Sequence, residues 1–137
     1  MKFKTLLFGL CIGLSSSLFA NTVHLHPQAN NTDNQSAAKA PTYAGYCDIE
    51  IINNSFYDVR VFGVFDDGSS LYPFNVYSWG APETISLYYY GYCHSGMDLY
   101  INTLDGGYVY SGYTERGKTI IISPFLTNQI KADVKSR

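Results

Sequence analysis

From Tyr46 onward apolar and polar positions alternate with a period of two. Cys47, Ile49 and Ile51 are separated by Asp48 and Glu50, the pattern of a strand with one buried face, and Asn53-Asn54-Ser55 breaks it. A second strand is expected over Tyr57 to Phe65. Val59, Val61, Gly63 and Phe65 share one face there, while Phe62 and Val64 are apolar on the other. Asp66-Asp67-Gly68-Ser69 carries the chemistry of a tight hairpin, because glycine tolerates the positive φ such turns need. Ser70 to Phe74 reads as a short return strand, and Pro73, which has no ladder donor, marks it as an edge.

Asn75 to Pro82 is the longest irregular stretch of the domain, a loop tipped by Tyr77 and Trp79. Alternation resumes from Glu83 to Tyr90, with Ile85, Leu87 and Tyr89 opposed to Thr84, Ser86, Tyr88 and Tyr90. It continues with Met97, Leu99 and Ile101 against Asp98, Tyr100 and Asn102. Asp105-Gly106-Gly107 turns the chain into an antiparallel strand over Tyr108 to Tyr113, and Arg116-Gly117 turns it again into Lys118 to Ser123. The result is an all-β domain, a small antiparallel β-sandwich of about seven strands with turn signals every 8 to 12 residues. A small β-barrel is the alternative. The architecture is immunoglobulin-like in strand count but lacks that family's Cys-Trp-Cys spacing, since Trp79 falls in a loop.

The flanks read differently. Residues 1–20 have the form of a secretory signal: Lys2 and Lys4, an apolar run from Leu6 to Leu14, then small residues to Ala20. That run is shorter than the roughly 20 residues needed to cross a bilayer, so no stable membrane insertion is expected. Cys11 lies within it, preceded by Leu10 rather than the small residue that lipidation needs. Residues 21–44 are rich in Asn, Gln, Ser and Ala without a hydrophobic period, the composition of a flexible polar leader. Residues 45–125 form the sandwich domain. Residues 126–137 are a polar tail with sparse apolar positions, at most a short terminal helix.

Cleavage of the signal leaves two cysteines, Cys47 and Cys93, in a chain bound for an oxidising compartment, and a structural disulfide follows. Closing a loop of about 47 residues stabilises a fold by roughly 4 kcal/mol on the chain-entropy account. The protein is expected to be secreted, extracellular or periplasmic, and bacterial.

Composition removes several functions. The net charge is −2 with a pI near 5.8, and nine acids face three bases between Tyr46 and Pro124, so the clustered cations that nucleic acids require are missing. His94, Ser95 and Asp98 are too close in sequence to form a nucleophile, base and orienting group by proximity alone. Asp66-Asp67-Gly68 lacks the alternating ligands of a calcium loop, and His24 and His26 chelate a metal only with a third ligand. Neither an enzyme nor a cofactor is expected.

Aromatics make up 16% of the chain against 15% charged residues, and their parity carries the functional expectation. With the aliphatic positions inward, Tyr88, Tyr90, Tyr100, Tyr108 and Tyr110 point to the opposite faces, flanked by Tyr77 and Trp79. Tyrosine joins a flat apolar body to a polar tip, which suits protein interfaces and stacking on sugars. The expected function is an exported interaction module presenting a Tyr-rich face to a protein partner or to itself, with a glycan as the alternative. Cross-strand tyrosine pairs that stabilise an exposed sheet and bind nothing are the reading against it.

Overall fold

The computed structural model describes residues 21–28, 46–125 and 129–137. The signal-like residues 1–20, most of the leader (residues 29–44), residue 45 and residues 126–128 of the expected tail lie outside the described residues. No helix occurs among the described residues. The strands are β1 (Thr22–His24), β2 (Asp48–Asn53), β3 (Val59–Phe65), β4 (Phe74–Val76), β5 (Glu83–Ser86), β6 (Tyr88–Tyr89), β7 (Tyr92–Cys93), β8 (Gly96–Thr103), β9 (Tyr108–Glu115), β10 (Lys118–Phe125) and β11 (Gln129–Ser136).

They form two main sheets, in the order β1-β5-β2-β10-β11 and β4-β3-β8-β9, plus the separate hairpin β6-β7. Neither main sheet closes on itself, so the architecture is sandwich-like and not a barrel. The predicted parity fills the space between the sheets. Ile49, Ile51, Ile85, Ile120 and Ile122 come from the first sheet, and Val59, Val61, Met97, Leu99 and Ile101 from the second, all fully buried. Burial of each such side chain contributes about 1.5–3 kcal/mol. Gly63 is required on the inward face of β3: a Cβ there would lie 2.6 Å from Met97 Cε and 2.9 Å from the Asp98 carbonyl oxygen. Cys47, just before β2, is bonded to Cys93 in β7, with Cα atoms 5.7 Å apart. The bridge ties the small hairpin to the first sheet, and it belongs to a non-reducing compartment.

Several expectations are corrected. The sandwich is not purely antiparallel, since β10 runs parallel to β2 and β1 parallel to β5. The return strand expected over Ser70 to Phe74 reduces to a single bridge between Val64 and Ser70. The ladder forms instead at β4, which takes the first residues of the presumed loop. β4 is an edge of its sheet, and Pro73, expected within an edge strand, lies just ahead of it. The long strand Glu83 to Tyr90 is interrupted at Leu87, although its burial parity runs through the break.

Residues 129–136 are a strand rather than a tail or helix, paired with β10 along its whole length from Gln129 opposite Phe125 to Ser136 opposite Lys118. The signal was present in Ile130, Ala132 and Val134 alternating with Lys131, Asp133 and Lys135. Ile130 and Ala132 pack on the core. At the other end, residues 21–28 are not a free leader: β1 extends the first sheet, and His26 is 1% exposed.

Candidate functional site

The site grows from one buried polar residue. Asn53 ends β2 inside the molecule, 1% exposed, and an amide in that position must find partners for all its hydrogens. Its side-chain nitrogen donates to the carbonyls of Tyr57 (2.8 Å) and Val76 (3.0 Å). Its side-chain oxygen accepts from the Ser55 amide (3.0 Å) and hydroxyl (2.6 Å). Its backbone carbonyl accepts the amide of Trp79 (2.8 Å). Ser78 closes the arrangement, its hydroxyl donating to the Ser55 carbonyl (2.6 Å) and its amide to Asp58 Oδ1 (2.8 Å). The β2–β3 and β4–β5 loops are thereby held as one body.

That body presents aromatic rings to solvent. Phe56 is 72% exposed and Trp79 60%, with ring centroids 6.2 Å apart in an edge-to-face arrangement; Tyr57 and Tyr77 are exposed beside them. Trp79 has φ of 54°, in the left-handed region that bulky side chains avoid. A strained backbone that keeps an indole outside the core is a conformation the surrounding hydrogen bonds must impose.

The register of β3 on β8, Val59 opposite Thr103, brings the β8–β9 turn to the same pole. There Phe56, Tyr57, Asp58, Thr103, Leu104 and Asp105 line a shallow groove of about 350 Å³. The Asp105 carboxyl accepts the Thr103 hydroxyl and is held below the usual carboxylate range by that bond, aided by the Gly107 amide.

The seven predicted aromatic positions do not form one surface. Tyr77 and Trp79 sit at the loop pole. Tyr100 and Tyr108 are exposed on the outer face of the second sheet, where Tyr100 lies opposite Phe62 and Tyr108 opposite Asn102.

Tyr110 is a correction: a register shift between Ile101 and Asn102 leaves Val109 without a partner in the ladder. Val109 and Tyr110 both turn inward, and Tyr110 packs on the core with its hydroxyl 2.9 Å from Thr114 Oγ1. Tyr113 takes an outward position instead.

Tyr88 and Tyr90 are on the separate β6–β7 hairpin. Its two-residue turn, Tyr90-Gly91, has φ of 54° and 82°, the geometry of a type I′ turn. The Tyr88 hydroxyl donates to the Gly91 carbonyl, 3.1 Å. The single hydrogen of the Tyr90 hydroxyl is within reach of Gln28 Oε1 and of Asp67 Oδ2, so this ring holds the N-terminal segment rather than facing solvent alone.

That segment docks through its two histidines. His24 stacks on Phe74 with centroids 3.4 Å apart and its Nε2 donates to Glu83 (2.8 Å). His26 lies against Tyr89, Nε2 donating to Asp67 (3.0 Å) and Nδ1 accepting the Gln28 amide (3.2 Å). His94 stacks on the other side of Tyr89, at 3.6 Å, and Tyr92 on His94, at 4.0 Å, so four rings form a continuous pile. His94 Nε2 is 3.3 Å from the Tyr89 carbonyl, and Asp67 is turned to Ser69 and His26. Among the described residues no group of three or more His, Cys, Asp or Glu side chains converges as a metal site.

Phe56, Leu104 and the carboxylates of Asp58 and Asp105 were not singled out by periodicity. An apolar Phe56 placed directly after the polar break Asn53-Asn54-Ser55, ahead of the expected strand, is the one local sign of an exposed anchor. In comparisons with known proteins, no family model, no curated protein and no solved structure matches the chain.

Proposed function

We propose that this chain is an exported bacterial interaction module that acts by binding, and that it meets a protein partner through the aromatic loop pole. The observation that carries the reading is Trp79, held at positive φ by the buried Asn53 network so that its indole stands beside the exposed Phe56. Tryptophan, tyrosine and phenylalanine are the residues on which interface energy concentrates. A rigid loop presenting them loses little entropy on association. Export is supported by the pattern of residues 1–20 and by the Cys47–Cys93 bridge. Among the described residues no helix is long and apolar enough to cross a membrane.

The test compares the exported chain with a Phe56→Ser/Trp79→Ser variant. Affinity capture from the native extracytoplasmic fraction and sedimentation at several concentrations are followed for both. A folded variant that loses a specific protein companion supports the reading. Capture of glycan alone, loss only of self-association, or a companion retained by the folded variant overturns it.

A further inference from the structure

We infer that the groove at the loop pole takes an arginine side chain of the protein partner, stacked on Phe56 and Tyr57 and paired with Asp58 and Asp105. The inference rests on the proposed reading of the pole as a recognition surface and adds the chemistry of what it recognises. Phe56, Tyr57 and Leu104, with Thr103 and the two aspartates Asp58 and Asp105, line the groove, and among the described residues no Lys, Arg or His does. Apolar faces beside fixed negative charge complement a group that is at once flat, weakly hydrated and cationic. The guanidinium is that group, whereas an ammonium is a compact, strongly hydrated point charge.

Both carboxylates are oriented before any ligand arrives. Asp58 Oδ1 accepts the Ser78 amide at 2.8 Å, and Asp105 accepts the Thr103 hydroxyl, a bond that keeps its carboxyl ionised. The register Val59 opposite Thr103 sets them on neighbouring turns at one end of the sheet.

The chain contains the same combination elsewhere, already occupied. The Arg137 guanidinium lies 4.3 Å from the centroid of the Tyr46 ring while pairing with the Asp48 carboxylate. An aromatic ring next to an aspartate thus holds an arginine within this protein. At the loop pole the aromatic and carboxylate halves are present, and the cation is left to the partner.

The test titrates the full exported chain with three blocked tripeptides, Ac-Gly-Arg-Gly-NH2, Ac-Gly-Lys-Gly-NH2 and Ac-Gly-Glu-Gly-NH2. Backbone amide shifts are followed together with the fluorescence of Trp79, the single tryptophan. The arginine peptide is expected to give saturable shifts confined to Phe56, Tyr57 and Thr103 to Asp105. The lysine peptide should bind more weakly and the glutamate peptide not at all.

Asp58→Asn with Asp105→Asn keeps the acceptor oxygens that hold Ser78 and Thr103, and should weaken arginine binding about fivefold or more, as loss of two partly exposed charge pairs implies. Leu104→Arg, a change at an exposed position, places a competing cation on the rim and should abolish it without relying on the double variant's fold. Shifts that fail to saturate, fall elsewhere, appear equally with the glutamate peptide, or survive both variants overturn the inference. If they do so while Phe56→Ser/Trp79→Ser still loses its companion, only the arginine assignment falls and the binding pole stands.

Discussion

The imidazole of His26 lies 4.1 Å from the phenol ring of Tyr89, centroid to centroid, with the planes 13° from parallel. The contact joins a residue near the chain's beginning to the middle of the core cluster. It explains how a segment without hydrophobic period becomes ordered. The energy comes from two rings at alternate positions, His24 and His26, each stacked on an aromatic and hydrogen-bonded to a carboxylate.

Replacing His26 by Ala should therefore release β1. The expected cost is about 1–3 kcal/mol, the scale of one buried stacked ring with its hydrogen bonds. Hydrogen exchange is the measurement: protection at Thr22 to His24 should vanish while Ile49, Ile51 and Ile120 stay protected. Unchanged protection at β1 would show that its backbone pairing with β5 is sufficient.

Trp79 offers a test of backbone strain separate from binding. Trp79→Gly places at φ of 54° the residue that adopts it freely, and stability should stay level or rise by up to about 1 kcal/mol. Trp79→Val sets a β-branched side chain in the same place and should cost about 1–3 kcal/mol. Urea midpoints that fall equally for both would mean that the indole, not the backbone, stabilises the loop.

The β9 register shift separates two tyrosines that strict alternation would treat alike. Tyr110→Ser should lose about 2–4 kcal/mol, because its ring packs on the core and its hydroxyl meets Thr114. Tyr100→Ser, on the exposed outer face, should cost no more than roughly 1 kcal/mol. Thermal or urea unfolding of the two variants distinguishes them, and equal losses would contradict the inward turn of Tyr110.

Stability should fall at both extremes of pH for identifiable reasons. Burial pushes the Tyr89 hydroxyl from 10.0 up to about 12, so the folded chain keeps a proton that the unfolded chain gives up. That contribution is complete below about pH 10 and is lost as pH rises toward 12. The Asp67 carboxyl is held down at about 2 by the Ser69 amide, with His26 and the Ser69 hydroxyl assisting. Its contribution is complete above about pH 4 and is lost as pH falls toward 2. Urea midpoints across both ranges should show the two limbs. Tyr89→Phe should flatten the alkaline limb. Asp67→Asn should flatten the acid limb.

The sequence by itself determined which side chains enter the core. Ile49 and Ile51, Val59 and Val61, Ile85 and Leu87, Met97 and Leu99 all lie where a period of two puts them. A pleated strand alternates its faces whatever its neighbour, so this is a local property that needs no knowledge of pairing. The Cys47–Cys93 bridge was legible because the expected cleavage of residues 1–20 takes Cys11 with it, and the two cysteines then left allow one connectivity.

Only the tertiary structure decided the rest: the parallel run of β10 on β2, the turn of Tyr110 into the core, the docking of His24 and His26, and the meeting of loops around Asn53. Each depends on how one strand or loop sits against another, near in sequence for Tyr110 and distant for the rest. A one-residue bulge or a stacked pair 63 residues apart, as His26 and Tyr89 are, leaves the local alternation of either segment unchanged.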